Sequence, residues 1–448
     1  MNGDDNIPTY DDWRELAGRD WRTAGLFTVS VGSRPLRAEA ILRHLPGRRL
    51  AVRAQWRGET VFAKLFFAGH QDEARREVAR HRELIEAGLA VPALLYEGFD
   101  SHGAVLVTDW VSGQSGQAAL RGEQGVALGE DLLDSLFSLY QAGLRQLDLH
   151  LDNFLYDGER FLVIDAGEMA PLPGGLRAEP AILDNLALFC AQLPLDLRDA
   201  LMEKVAERLR RTGISPAPLA AMVRRRSNRR LSSAMRKWRR ESSAIGVWSE
   251  NDEDWLYRRA LADDERDALA DALREPASLP SIKQGSRISV YGDDRWIIKH
   301  YRETGWKARL RRRFFRGRGD VSWVMGWTWA LLGVPTPRPV MLRRCPDGQA
   351  VIAFPRLPGE PLSRLMEEQR ERAVRVAPTV LLWLDRLHRT GFWHGDTKAQ
   401  NVLVDDADAP AFIDLDGAGF SPWRWRAARK GARESRRFEA NWSQFSEQ

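Results

Sequence analysis

Cysteine is almost missing: Cys190 and Cys345 are the only two in 448 residues. That excludes a disulfide framework and points to a reducing compartment. Long apolar runs are missing too, since no stretch approaches the roughly 18 residues that a spanning helix needs. The first residues, MNGDDNIPTYDDW, are acidic and polar, so no signal peptide is expected there. None of the signatures of nucleic-acid-binding modules occurs. These absences leave a cytoplasmic globular protein as the expectation. What is present is ordinary in bulk, with 44% apolar and 29% charged residues in a chain long enough for two to three domains.

Charge is unevenly spread although the net value is only +5. Arg210–Arg240, Trp306–Gly319 and Trp423–Arg437 are strongly basic, and several of the 17 tryptophans lie in or beside them. Such runs are either solvated helix faces or surfaces for a polyanion. Trp interleaved with Arg suits an anionic membrane surface. Charge alone would also admit nucleic acid, but without a module signature it is not an expected partner.

The order of elements reads as one plan written twice. In the first copy LAVRAQW and ETVFAKLFF are predicted strands, rich in Val and aromatics. A helix follows over DEARREVARHRELIEAG, with Gly88 as its stop. ALLYEGF and GAVLVTDWV are two more strands, then LGEDLLDSLFSLYQAG is helical. In the second copy RISVY and RWIIKHY are strands, SWVMGWTWALLG a helix, AVIAFPRL a strand and APTVLLWLDRLHRTG a helix. Between the copies the chain turns acidic and closes on Pro276 and Pro280. A linker is therefore expected near residues 265–280, with domains at 1–265 and 275–448.

The duplication is sharpest in two polar skeletons. Gly143 is followed after five residues by Asp148, after five more by Asn153, and after 12 more by Asp165. Gly391, Asp396, Asn401 and Asp414 repeat this with a last interval of 13. Upstream stand Lys64 with Glu77 on the next helix in one copy, and Lys299 in the other. Phosphoryl transfer needs little more than this. A cation meets the nucleotide phosphates, acidic or amide oxygens hold magnesium, and a carboxylate sits beside the attacking hydroxyl. A lysine in an apolar strand also asks for a partner.

HGDTKAQNVLV followed by FIDLDG resembles the catalytic and metal-binding loops of the protein-kinase-like fold, in its small-molecule and sugar-kinase branch. The match is closest to bacterial lipopolysaccharide core sugar kinases (heptose or Kdo kinases). IIKHY and SWVMGWTWALLGVPTPRPV are similar to that family's N-lobe. The resemblance covers residues 280–445 and, more loosely, 25–250. It implies an α+β fold of two kinase-like units in tandem, each with a β-rich N-lobe and a helical C-lobe. It implies that Asp396 and Asp148 are the bases, and that Asn401, Asp414, Asn153 and Asp165 bind magnesium. Lys299 and Lys64 would hold the phosphates of ATP, Lys64 with Glu77 as partner.

The implied activity is an ATP- and Mg2+-dependent kinase acting on a sugar hydroxyl of a lipid-linked lipopolysaccharide core acceptor. The basic, Trp-bearing helices would hold it against the anionic cytoplasmic face of the inner membrane. The pattern is not followed everywhere. Gln146 and Leu147 stand where the second copy has His394 and Gly395, and Ser322 stands at the place matching Glu77. Neither copy has a GxGxxG loop; GSRIS at Gly285 and PGRRLAV at Pro46 are minimal substitutes. These departures keep two alternatives open. One copy is a pseudokinase that scaffolds or regulates the other, or the chain is a protein kinase or antibiotic kinase on the same fold. His394 is expected to pack under the catalytic loop rather than to move protons.

Overall fold

A computed structural model describes the chain except residues 1–6, 11–12, 18, 20–25, 315–316 and 447–448. The architecture is α+β, built on two seven-stranded sheets among the described residues. The chain divides into two compact units. One comprises Met1–Gln192 with Ala200–Met222, the other Leu193–Asp199 with Val223–Gln448.

In unit 1 the sheet contains β1 (Thr9–Tyr10), β2 (Thr28–Val31), β3 (Arg34–Leu45), β4 (Arg49–Trp56), β5 (Glu59–Phe67), β6 (Leu94–Phe99) and β7 (Gly103–Asp109). Their order is β1-β2-β3-β4-β5-β7-β6. The period-2 alternation of these segments puts Val29, Leu36, Val52 and Leu65 into one core. Helix α1 (Gln71–Glu86) buries Ala74 and Val78 with Phe66 and Leu106. It stops where expected, at Gly88 with φ +72°, a left-handed position that glycine adopts without steric cost. Helices α2 (Gly125–Gln141) and α3 (Ala178–Gln192) follow. Between them lie a two-stranded ladder, Leu144–Gln146 with Met169–Pro171, and a three-stranded one in which Phe154–Tyr156 is central.

Unit 2 repeats the scheme. Its sheet holds β8 (Ile245–Glu250), β9 (Glu253–Arg258), β10 (Ser281–Lys283), β11 (Ile288–Gly292), β12 (Trp296–Tyr301), β13 (Met341–Arg344) and β14 (Ala350–Pro355), in the order β8-β9-β13-β14-β12-β11-β10. Its helices include α4 (Asp263–Arg274), α5 (Arg318–Leu331), α6 (Arg370–Arg389) and α7 (Arg424–Ser446). The ladder Phe392–Trp393 with Gly419–Phe420 has its counterpart in unit 1, as does the ladder centred on Val402–Val404.

Two expectations shift. The acidic stretch taken as a linker near 265–280 contains α4, whose Leu269, Ala270 and Leu273 are buried with Trp255, Ile298 and Val351. The β8–β9 hairpin pairs with β13, about ninety residues on, so residues 245–265 belong to unit 2 rather than to a domain spanning 1–265. Surface acids hid a three-residue apolar face, and a distant strand partner leaves no local mark. Many tryptophans are core rather than interface: Trp255, Trp323 and Trp329 are fully buried, and Trp238 packs on Trp327 at 5.0 Å. Trp306, Trp423 and Trp425 are about two-thirds exposed. No helix among the described residues is long and apolar enough to cross a membrane.

Candidate active site

In unit 1 the strand register fixes the lysine. Lys64 on β5 pairs with Ala51 of β4 and Leu106 of β7, so it rises from an interior strand. Its buried ammonium meets the Glu77 carboxylate from α1 and Asp165 Oδ1 at 3.1 Å. Burial alone would push this lysine down, but Glu77 and Asp165 outweigh it and hold it above its usual range. A lysine is thus joined to an aspartate 101 residues away. Asp148 and Asn153 share the loop between the two small ladders, where Asn153 Nδ2 donates to the Asp148 carbonyl at 3.3 Å.

Unit 2 places the same groups with different supports. Lys299 on β12 lies between Val290 and Ile352 and donates to Asp414 Oδ1 at 2.9 Å. Burial would raise the Asp414 carboxyl; Lys299 outweighs that and holds it below its ordinary range. Ser322 does not reach the lysine, because its hydroxyl meets Tyr301 OH at 3.1 Å. The carboxylate that Lys299 requires comes from Asp414 instead of α5. Asp414 has φ +64° and ψ +57°, a left-handed conformation uncommon outside glycine and often kept where function demands it. The next carboxylate, Asp416, pairs with Arg318 of α5 at 2.6 Å. Burial, then the charge of Asp414, pushes it up to about 6.

The loop carrying Asp396 is tightly braced. Asn401 Nδ2 donates to the Asp396 carbonyl at 2.8 Å. His394 is buried and held neutral by desolvation, with Nε2–H donating to the Ile413 carbonyl at 2.9 Å. It packs beneath the loop, as expected. Gly395 has φ +90°, and a Cβ there would lie 2.1 Å from the Gly417 carbonyl oxygen, so only glycine lets the two loops meet. Glu434 on α7 accepts from the backbone N–H groups of His394 and Gly395 and from His388 Nε2 at 2.9 Å.

In unit 1 the corresponding brace is built of amides. Asn185 Nδ2 donates to the Gln146 carbonyl at 2.7 Å, and Gln192 Nε2 to the Leu149 carbonyl at 2.7 Å. The Gln146 side chain is fully buried, yet neither its Oε1 nor its Nε2 has a hydrogen-bond partner. Leu147 points to solvent at 57% exposure.

Sequence reasoning passed over Glu434, Arg318, Asn185 and Gln192. For Glu434 a signal existed. Ala427, Gly431, Glu434 and Phe438 are the buried stripe of α7, at 4-3-4 helical spacing, and a carboxylate on such a stripe asks for donors.

The donor chemistry suits a magnesium ion. In each unit the asparagine's NH2 is spent on the loop carbonyl, so its side-chain oxygen is the atom that would meet a cation. Among the described residues no cluster of three or more His, Cys, Asp or Glu forms a self-sufficient cage. One amide oxygen and one carboxylate are what a hard cation shared with substrate phosphates requires.

No family model matches the chain, and no curated protein matches it. Among solved structures it is similar to WbdD bound to the kinase inhibitor LY294002, at 19% identity and a TM-score of 0.26 over 33% of this chain and 34% of that one. It is also similar to a structure described as the bifunctional kinase-methyltransferase WbdD, at 18% identity and a TM-score of 0.25 over 32% of each chain. A further WbdD crystal structure gives 18% identity and a TM-score of 0.27 over 34% and 35%. The chain thus spans about a third of the length of these proteins.

Proposed function

We propose that the chain is an ATP- and magnesium-dependent kinase that phosphorylates a sugar hydroxyl of the lipopolysaccharide inner core, with unit 2 as its main catalyst. The observation that carries this is the bond from Lys299 to Asp414, 115 residues apart in sequence, in a unit whose Asp396 and Asn401 share one braced loop. Asn401 and Asp414 would hold magnesium, which when bound neutralises charge on the phosphates. Lys299 would meet the same phosphates as a fixed cation. Asp396 accepts the proton of the acceptor hydroxyl as its oxygen forms the new bond to phosphorus and the bond to the ADP oxygen breaks. Lys398 Nζ, 3.1 Å from Asp396 Oδ2, orients that carboxylate.

For unit 1 a second reading, a kinase-like support with little turnover, is favoured by the unpaired Gln146 amide under its loop. The test of the activity is mass spectrometry of core oligosaccharide from cells with and without the gene, together with the purified chain given ATP and magnesium. The expected result is a loss of 80 Da per missing phosphate group, on the order expected from one HPO3. Identical core masses, with no transfer in vitro, would remove the assignment.

The acceptor is proposed to be lipid-linked, with the exposed Trp306, Trp423 and Trp425 beside basic side chains meeting the anionic membrane face. Each Lys or Arg near such a surface contributes about 1 kcal/mol. Sedimentation with anionic vesicles is expected at low salt and is expected to fall at high salt. Equal sedimentation with neutral vesicles would return these runs to the status of solvated faces.

A further inference from the structure

We infer that the hollow beside Asp396 is the acceptor site and selects an acidic saccharide, one carrying carboxylate or phosphate groups next to the hydroxyl that reacts. This deepens the kinase assignment and rests on it for the reaction, though not for the binding. The hollow measures about 470 Å3 and is lined by Trp393, Thr397, Lys430, Arg433 and Arg437, with the backbone of Gly395 and Gly417 and with Glu434, whose oxygens are taken by His388 and two backbone N–H groups. A volume of this order accommodates a small molecule. Arg437 Nη1 lies 3.3 Å from Asp396 Oδ1, so the cationic wall reaches the carboxylate that would take the proton. A second hollow of about 490 Å3 shares Lys430 and Arg433 with the first and adds Arg426, Arg429 and Arg436. The cationic lining therefore continues along α7 for more than one sugar residue.

Thr397 supplies an independent sign of a ligand. It is 1% exposed, its hydroxyl has no hydrogen-bond partner, and it lines the first hollow. A buried hydroxyl left unpaired costs free energy unless something else satisfies it. Trp393 offers an indole face on the same wall, with the Lys430 ammonium 6.0 Å from its ring. Aromatic face, hydroxyl and convergent guanidinium groups form a polar, anion-seeking wall. The wall is not free to drift, because Glu434 of the same helix grips the loop at His394 and Gly395. A neutral sugar would leave Arg433 and Lys430 without partners, whereas carboxylates or phosphates at that spacing satisfy them.

The probes are trigalacturonate, maltotriose as its neutral counterpart of equal length, glucose 6-phosphate, and phosphatidylglycerol vesicles. Binding to the full chain without nucleotide is read by calorimetry and tryptophan fluorescence. Trigalacturonate is expected to bind at least tenfold more tightly than maltotriose, and glucose 6-phosphate to compete with it. Arg433→Gln and Lys430→Gln, both at exposed positions, are each expected to weaken it fivefold or more with an unchanged melting temperature. Arg225→Gln, the same loss of charge on another helix, is expected to leave it unchanged. Equal affinity for the two trisaccharides, or an equal effect of Arg225→Gln, overturns the inference. So does a loss of vesicle binding with unchanged trigalacturonate binding in Arg433→Gln and Lys430→Gln, which would make the hollow a headgroup site. Acid-selective binding with no ATP turnover keeps this site and removes the kinase; turnover on neutral sugars with no acid preference does the reverse.

Discussion

Asp396→Ala is expected to lower ATP-dependent phosphorylation of the acceptor by about 10²–10⁴-fold, the range that a positioned general base contributes. Asp148→Ala is expected to leave more than half of the activity. Both carboxylates sit five residues after a glycine and five before an asparagine, so local sequence does not separate them. Their supports do. The Asp396 loop is gripped by Glu434 on its backbone N–H groups, by His394 beneath it and by Asn401 across it. The Asp148 loop rests on a glutamine whose buried amide is unpaired, and its Asn153 bond is longer, 3.3 Å against 2.8 Å.

Against this, unit 1 has the better-paired lysine, with Glu77 and Asp165 both on Lys64. The two defects act on different atoms. Slack in the loop moves the reacting oxygen, and about 1 Å of misplacement costs on the order of a hundredfold. A lysine short of one carboxylate still has Asp414 and, in the complex, the phosphates. Turnover of both variants, with folding checked by melting, decides the matter. If Asp148→Ala abolishes activity and Asp396→Ala spares it, the roles of the units are exchanged.

The parts of this arrangement that were legible in sequence share a physical cause. Lys64 and Lys299 stood out because a charge in an apolar strand has to be paired, and Asp148, Asn153, Asp396 and Asn401 because their spacing recurs. Strands β4, β5, β11, β12 and β14 and helices α1, α2 and α5 were visible through periodicity and turn residues. What was hidden depended on distance along the chain. Nothing near Lys299 says that Asp414, rather than a residue of α5, completes its pair. Helix α4 reads as an acidic linker until Leu269 and Leu273 are placed against Trp255 and Val351. The hairpin of β8 and β9 reads as part of the first domain until β13 is placed beside it. The brace from Glu434 is hidden in another way: it lies in a run so basic that one glutamate passes for a surface counterion. Gln146 was noticed as a departure, but only the structure reveals that its amide is left without partners.

Glu434 is the residue whose loss is expected to damage unit 2 most outside the reacting groups. Its carboxylate is 8% exposed and serves three donors: two backbone N–H groups and His388. Burial would raise this carboxyl, but His388 and the N–H groups of Gly395 and His394 outweigh it and hold it below its ordinary 4.5. Glu434→Ala strands those donors, a cost of about 3 kcal/mol, or roughly 6–12 °C in the melting temperature of a domain this size. Glu434→Gln keeps one acceptor oxygen and is expected to lose about half as much. The sign of the pH dependence follows from the lowered value. As pH falls below 4.5 the unfolded chain takes up the proton before the folded one, so the stabilisation is complete above 4.5 and drains away on acidification. The melting advantage of the natural protein over Glu434→Gln should therefore be full at pH 7 and shrink below pH 4.5. Because the same carboxylate orients the Asp396 loop, Glu434→Gln should also lower kcat more than it raises KM for the acceptor. Equal melting of the natural and Glu434→Ala proteins at pH 7 would mean that α7 is not the brace of this loop.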